Sequence, residues 1–440
     1  MATATAHPAG PVSGSRSREE KRVLAGTLVG TTIEWYDFFI YAQAAAFIFA
    51  PLFFEPVGSA SLAQIFSWAS IGISFLFRPL GAIIAGHLGD RYGRKAVLVV
   101  TLVGMGAATA LIGVLPTYGT IGVAAPVLLI LLRILQGFSA GGEWGGAALM
   151  SVEHAPRDKR GLFGSYPQIG VPLGLILATS FMYVLTSSLS EDDFQSWGWR
   201  IPFLSSLLLI VVGYLIRAGV AESPVYLDMQ SRQKDASAPL GRLFRDHWRR
   251  VLLAALIFAG NNATGYMVIA FFSSYGAKTL GMEKSQTLVA AIVGGIAWLV
   301  LTIYSGRLSD RIGRRVTFAL GYVLLIAWVV PMWYFIDKGT TASFIFAILV
   351  LTLGLAPSYA PQSALYAEMF PADVRYSGTS IGYAFGSILG GAFAATFAQM
   401  ILDATGRSWM IGLYLGGMCL ISLVAVLMVP KSVEKSDLHV

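Results

Sequence analysis

Apolar runs of about 20 residues recur along the whole chain, and that is the length an α-helix needs to cross the hydrocarbon of a bilayer. Twelve such runs can be counted, at 26–50, 63–86, 96–115, 122–150, 163–187, 201–219, 250–275, 286–305, 316–335, 342–366, 377–402 and 409–429. A soluble core cannot hide this much apolar surface. Of the 440 residues 55% are hydrophobic and 12% charged, about half the charge fraction of an ordinary soluble domain. Lipid is therefore the expected solvent for much of the chain. Pro and Gly inside several runs fit this reading, because membrane helices tolerate both. The expected fold class is an all-α membrane protein with twelve transmembrane helices.

The positive charges give that layout a direction. If the chain starts inside and crosses twelve times, 24 of the 31 Lys and Arg fall in inside segments. Five fall outside, and Arg78 and Arg133 lie within apolar runs. The bias is the positive-inside pattern and predicts that both termini are cytoplasmic. It ties the net charge of +7 to topology and lipid headgroups, not to a nucleic-acid partner. Cys419 is the sole cysteine, so no disulfide framework or metal centre is expected. The chain also lacks a phosphate-binding G-x-x-x-x-G-K-[ST] loop and a nucleophile elbow, which argues against an ATP-driven pump or an enzyme. No cofactor is expected beyond a coupling proton.

A repeat divides the chain. "GHLGDRYGRK" (86–95) returns as "GRLSDRIGRR" (306–315), a shift of 220, half the length. Glu153, Pro156 and Arg160 recur with the same spacing as Glu368, Pro371 and Arg375. The expected organisation is a disordered cytoplasmic arm (1–24), a six-helix bundle (25–219), a cytoplasmic linker (220–249), a second six-helix bundle (250–430) and a cytoplasmic tail (431–440). An even number of spans per half makes the repeat parallel, about an axis along the membrane normal. The repeated charges are candidate gating residues: Gly86, Asp90, Arg91, Gly93, Arg94, Glu153 and Arg160, with Asp310, Arg311, Arg314, Glu368 and Arg375. Ion pairs and helix caps among them would favour one position of two rocking halves. The plainer reading is that they only anchor topology.

"TTIEWYDFFIYAQAAAFIFAPLFF" (31–54) is long enough to span, yet it contains Glu34 and Asp37. An acid inside a bilayer costs a few kcal/mol or more, so it faces a wet cavity, pairs with a cation or takes up a proton. Glu34, Asp37 and Tyr41 follow i, i+3, i+7 spacing and are expected on one helix face. The same half carries Arg78, Arg133 and Glu143 within its runs. The second half offers neutral groups instead: Asn261, Asn262, Tyr266, Ser358, Tyr359, Gln362, Ser363 and Tyr383. A division of labour follows. Asp37, Glu34 and Glu143 are the candidate proton-coupling groups. Arg133 is the expected anchor for a substrate carboxylate, because its planar fork matches that group, with Arg78, Tyr41, Gln136 and Trp144 beside it. Asn261, Asn262, Tyr266, Tyr359, Gln362 and Tyr383 would hold the neutral part of the substrate. The plainer reading is static ion pairs and packing hydroxyls that lock helices together. Gly378, Gly382, Gly386 and Gly390 read as a packing stripe that would let the halves slide.

"GHLGDRYGRK" and its echo resemble the loop signature of the major facilitator superfamily, and "RILQG" (133–137) resembles its fourth-helix motif. More narrowly, "IEWYDFFIY", "FLFRPLGAIIAGHLGDRYGRK", "GGEWGGAAL" and "SWGWRIPF" resemble the metabolite:proton symporter family. That family includes carriers for shikimate, 2-oxoglutarate, citrate, and proline or betaine. The stretch from "ATALIGVL" to "MSVEHAP" most resembles the shikimate-like branch. The resemblance implies a proton-coupled importer of a small carboxylate such as shikimate, monomeric, without a required protein partner, in a bacterial cell membrane. The alternatives are a betaine or proline symporter, a substrate-sensing receptor, and an efflux antiporter. The region that carries an antiporter signature in this superfamily reads "QIGVPLGLIL", a partial likeness, which favours symport.

Overall fold

Backbone placed in lipid has to satisfy its own N–H and C=O groups, and the described residues do so with helices. The computed structural model describes residues 13–54, 59–92, 94–218, 239–434, 436 and 438, without the side chains at 13–19, 89–92, 94, 216–218 and 239. Among the described residues eight helices are long and apolar enough to cross a membrane. A ninth span results if Glu191–Gly198 and Arg200–Leu215, bent by 41°, are read as one.

The remaining expected runs differ for visible reasons. The first helix is long but carries Glu34 and Asp37. The run at 316–335 is divided at Pro331 into Arg314–Trp328 and Met332–Ile336. The run at 342–366 stops at Leu355 and resumes at Gln362, with Pro357 and Pro361 between. Proline has no N–H to give a helix interior and interrupts it.

The helices used below are α1 (Ser13–Phe47), α2 (Ala60–Tyr92), α3 (Arg94–Gly113), α4 (Ala124–Ala140), α5 (Glu143–Glu153), α6 (Arg160–Ser188) and α7 (Arg200–Ala218). After the segment 219–238, which lies outside the described residues, come α8 (Trp248–Tyr266), α9 (Lys284–Ile312), α10 (Arg314–Trp328), α11 (Thr341–Leu355), α12 (Gln362–Met369), α13 (Arg375–Gly390), α14 (Ala394–Thr405) and α15 (Trp409–Met428). Helices α1–α7 pack on one another, and so do α8–α15. The two groups meet chiefly through α6 on α9, α2 on α13, and α5 and α6 on α12.

Three of the expected connecting segments carry ordered structure. The arm 1–24 is not wholly irregular, because α1 begins at Ser13. Residues 18–24, "REEKRVL", consist mostly of good helix formers. The linker 220–249 contains a helix, Pro239–Asp246, that buries Leu243. The tail 431–440 folds back: Leu438 is buried in a cluster with Leu149, Val152, Ala364, Ala367 and Tyr376.

Glycine matters at two kinds of place. Gly313, in the turn from α9 to α10, has φ of 97°, a region that a side chain strains to adopt. That explains one glycine of the repeated loop motif. Gly137 and Gly81 bring α4 and α2 into backbone contact: a Cβ on Gly137 would lie 1.9 Å from the Ser74 carbonyl oxygen. The stripe on α13 corrects an expectation. Gly382, Gly386 and Gly390 press against α8 of the same half, so the stripe fixes α13 to α8 and provides no sliding surface between halves. Gly145 on α5 does meet the other half, at Ser380.

Candidate functional site

Glu34, Asp37, Arg78, Arg133 and Glu143, the charged residues of the apolar runs in the first half, are all buried. Arg133 on α4 is fully buried, and its donors are used locally. Nε donates to the Ser70 carbonyl at 3.3 Å, Nη2 to the Ile71 carbonyl at 3.3 Å, and Nη1 to Gln136 Oε1. Its guanidinium carbon lies 3.7 Å from the centroid of the Tyr41 ring, a cation–π contact. Tyr41 closes the group with a 2.7 Å hydroxyl bond to Ser70. Gln136 also donates to Thr109 at 2.9 Å.

Arg78 on α2 is in a different situation. It is 2% exposed and surrounded by the rings of Phe75, Phe38 and Trp35, at 4.5, 5.4 and 5.8 Å. Among the described residues its Nε and Nη1 have no hydrogen-bond partner, while the Tyr383 hydroxyl lies within hydrogen-bonding reach of the guanidinium. The Tyr266 hydroxyl, also without a partner, and Tyr383 lie within its electrostatic reach. Buried polar atoms are nearly always paired, and a buried charge lacking bonds costs several kcal/mol. Arg78 therefore keeps two buried donors that the described residues leave without a hydrogen-bond acceptor.

The three residues expected on one face of α1 meet three different surroundings. Glu34, 1% exposed, lies within electrostatic reach of Tyr266, Tyr359 and Tyr383 in the second half. Asp37 turns toward α7 and α3, where Ser206 Oγ donates to Oδ1 at 2.5 Å and Thr109 lies close by. Its Oδ2 has no hydrogen-bond partner. Tyr41 points to α2. Glu143 sits at the first position of α5, where a helix N-terminus favours an acid, and accepts from Thr101 at 3.0 Å.

The neutral polar residues of the second half make the following contacts. Asn261 donates to the Leu355 carbonyl at 3.0 Å and to Ser358 at 2.8 Å, bracing the proline break after α11. Asn262 donates to the Ser387 carbonyl at 3.3 Å. Tyr383 stacks on Trp144 of the first half, and Trp144 donates to Gln168 at 2.9 Å. Gln168 in turn donates to the Tyr359 carbonyl at 3.1 Å and Gln362 Oε1 at 3.4 Å. A cavity of about 10 Å³, roughly one water's worth, is lined by Trp35, Asn261, Asn262, Tyr266, Trp298 and Tyr359. That cavity is too small for a metabolite-sized solute.

The repeated loop residues join the halves on the face that carries α1's start and the tail. Asp310 accepts from the backbone N–H groups of Gly161 and Leu162, at 2.8 and 2.9 Å, at the N-terminus of α6. Arg314 pairs with Asp310 at 2.7 Å and with Glu368 at 3.5 Å. Arg160 reaches Glu368 at 3.8 Å, and Arg375 reaches Glu153 at 3.6 Å. Gly86 packs near Ser377 of α13. Arg311 is exposed. Gly93 and the side chains of Asp90, Arg91 and Arg94 lie outside the described residues. On the opposite face Lys284 pairs with Glu191 at 2.7 Å, and Ser61 donates to Asp403 at 2.6 Å.

Some central residues escape a reading of the sequence. Trp35, Phe258 and Trp298 line or border the centre, but an aromatic residue on an apolar helix is ordinarily packing or lipid-facing. Gln168, Thr109 and Ser206 are polar residues among others in long apolar helices, and nothing in their spacing sets them apart.

A model described as Major Facilitator Superfamily matches residues 27–395. The chain is 38% identical over 420 residues to an inner membrane metabolite transport protein of Escherichia coli (strain K12), covering 94% of this chain and 95% of that one. It is 36% identical over 428 residues to the shikimate transporter of the same organism, covering 96% and 97%. A proline/betaine transporter of Salmonella typhimurium (strain LT2) is 30% identical over 413 residues, covering 92% and 82%. Among solved structures, a proton:xylose symporter bound to 6-bromo-6-deoxy-D-glucose superposes with a TM-score of 0.76 at 19% identity, over 94% of this chain and 97% of that chain. At that identity the likeness concerns the fold alone.

Proposed function

The chain belongs to the Major Facilitator Superfamily and is a multi-pass membrane transport protein, and on that premise we propose that it imports a small carboxylate together with protons. The observation that carries the reading is Arg78, a buried guanidinium with two nitrogens that have no hydrogen-bond partner among the described residues. Each of these nitrogens can donate a charge-assisted hydrogen bond to a carboxylate oxygen. Phe75, Phe38, Trp35 and Tyr266 offer ring faces to the body of the solute. Arg133, whose bonds hold α4 to α2, is a support for this anchor.

Asp37 is the proton carrier in this reading. It is fully buried, and among the described residues no cation pairs with it. A buried carboxylate with one hydroxyl donor is costly when charged, and taking a proton removes that cost. Thr109 and Gln136 link its surroundings to Arg133, so cargo capture and protonation are mechanically close. Glu34 faces the cargo groups from the same helix.

The layout completes the proposal. The chain crosses twelve times, with α1, the pieces on either side of Pro331, and α11 with α12 supplying the spans that length and hydropathy alone miss. Both termini lie in the cytoplasm, so the ion-paired face is the cytoplasmic gate and the halves rock about the centre. Cysteine accessibility in a Cys419→Ser background tests this: sites at 20 and 431 should label from inside only.

A zwitterion is the second reading. Trp35, Phe258, Tyr266, Trp298 and Tyr359 border the centre, and such rings suit a quaternary ammonium, while Arg78 would still take the carboxylate. Proteoliposomes with an imposed pH gradient decide between them. Labelled shikimate, aromatic acids, di- and tricarboxylates and betaine are offered in turn. Accumulation of a monocarboxylate supports the first reading, and accumulation of betaine instead supports the second. Failure of every compound to accumulate contradicts both.

A further inference from the structure

A cavity of about 370 Å³ opens between the halves on the face away from the ion-paired gate. Its size is that of a small-molecule pocket. We propose that Lys278 and Gln64 form an outer subsite in this cavity, which holds the carboxylate of the cargo before it reaches Arg78. The proposal rests on the reading of the cargo as an anion.

Two charged residues line the cavity, Lys278 and Asp403. Asp403 is occupied: Oδ2 accepts from Ser61 at 2.6 Å and Oδ1 from Gln399 at 2.9 Å. The nearby Lys284 is also occupied, by both oxygens of Glu191 at 2.7 and 2.9 Å. Lys278 differs. Its Nζ donates to the neutral Gln64 Oε1, and among the described residues no carboxylate pairs with it. An ammonium has three donors, so two remain for a ligand in the cavity. Gln64 is held in place because its Nε2 donates to the Ala45 carbonyl at 3.0 Å. A ligand that completes Lys278 needs negative charge and acceptor oxygens, and a carboxylate supplies both.

The subsite is joined to the centre by a polar stripe. Gln64, Ser67, Ser70, Ser74 and Arg78 follow one another at spacings of three or four along α2, and therefore share a face. All five are buried, from 0% to 6% exposed. An otherwise apolar helix presents this single polar line from the cavity to the anchor. The Lys278–Gln64 bond also crosses the halves, so an anion that takes Lys278 from Gln64 loosens the outer contact as it enters.

The test uses the full chain in proteoliposomes with labelled shikimate. At low ionic strength Lys278→Gln should raise KM about five-fold with the maximal rate kept, and added salt should shrink the difference, as for any steering charge. Lys278→Arg should behave like the parent. An unchanged KM in Lys278→Gln overturns the proposal. A second measurement does not depend on transport: acetylation by a neutral amine reagent, read by peptide mass spectrometry. Benzoate should slow labelling of Lys278 but not of Lys284, and should still do so in Arg78→Gln, which loses transport. Absence of protection in the parent, or its loss in Arg78→Gln, overturns the outer subsite. Protection without shikimate transport by the parent would sink the cargo reading while the subsite stands.

Discussion

The Trp144 indole lies flat on the Tyr383 ring, with centroids 3.9 Å apart and planes 8° from parallel. One ring belongs to α5 and the other to α13, so the stack fastens the two helix groups at the centre. It continues from Tyr383 to Phe258 at 4.6 Å. Halves that rock apart have to break or slide this contact. Aromatic pairs are worth about 0.5–1.5 kcal/mol beyond their burial. Trp144→Ala should therefore raise KM for the cargo by about ten-fold, and Trp144→Phe by less. Uptake kinetics check this; unchanged constants in Trp144→Ala would remove the stack from the transport cycle.

Arg78 and Arg133 should separate in a pair of measurements. Arg78→Gln should abolish cargo binding, a loss on the order of 100-fold or more for an unpaired buried carboxylate, with thermal stability kept or raised. Arg133→Gln should lower the melting temperature, because it removes the bonds to the Ser70 and Ile71 carbonyls. Binding and unfolding of purified protein give both answers. The opposite pattern would make Arg133 the anchor and Arg78 the support.

Much of this was legible in the residues. Arg78, Arg133, Glu34 and Asp37 stand out because a charge in an apolar run has few excuses. The loop residues stand out because they repeat at a fixed shift. What the sequence could not convey was direction. Nothing in i, i+3, i+7 spacing says that Glu34 meets the second half while Asp37 turns to Ser206. Nor does it say which arginine spends its donors on α2 carbonyls. Breaks were also hard to see: Pro167 and Pro172 are carried within α6, while Pro331 divides a run. Aromatic residues such as Trp298 read alike whether they face lipid or cargo.

The gate should respond to the loss of one charge. Asp310 receives two backbone N–H bonds from α6 across the halves, and bonds to a charged group are worth about 1.5–3 kcal/mol each. Asp310→Asn should shift the population toward the state open on this face by about ten-fold or more. Spin-label distances between α6 and α9 at this end report the shift. A distance distribution identical to the parent's would leave Asp310 as a topology anchor alone.

Gly137 and Gly417 give a stability contrast. An alanine at 137 would push its Cβ into the Ser74 carbonyl, whereas Gly417 has nothing within 4 Å. Gly137→Ala should lose about 2 kcal/mol or more, as overpacking of a close contact does, and fold poorly or melt early. Gly417→Ala should melt with the parent. Equal melting temperatures would mean that α2 and α4 are not in backbone contact.

The central claim is that protonation of Asp37 is tied to entry of an anion at Arg78. The most direct measurement is accumulation of labelled cargo in proteoliposomes, with internal pH followed by a dye, for the parent and for Asp37→Asn. The account predicts that the parent concentrates cargo under an acid-outside gradient and acidifies its lumen as it does so. Asp37→Asn should lose both yet still exchange cargo at equal concentrations. Accumulation that ignores the gradient, or that persists in Asp37→Asn, would contradict it.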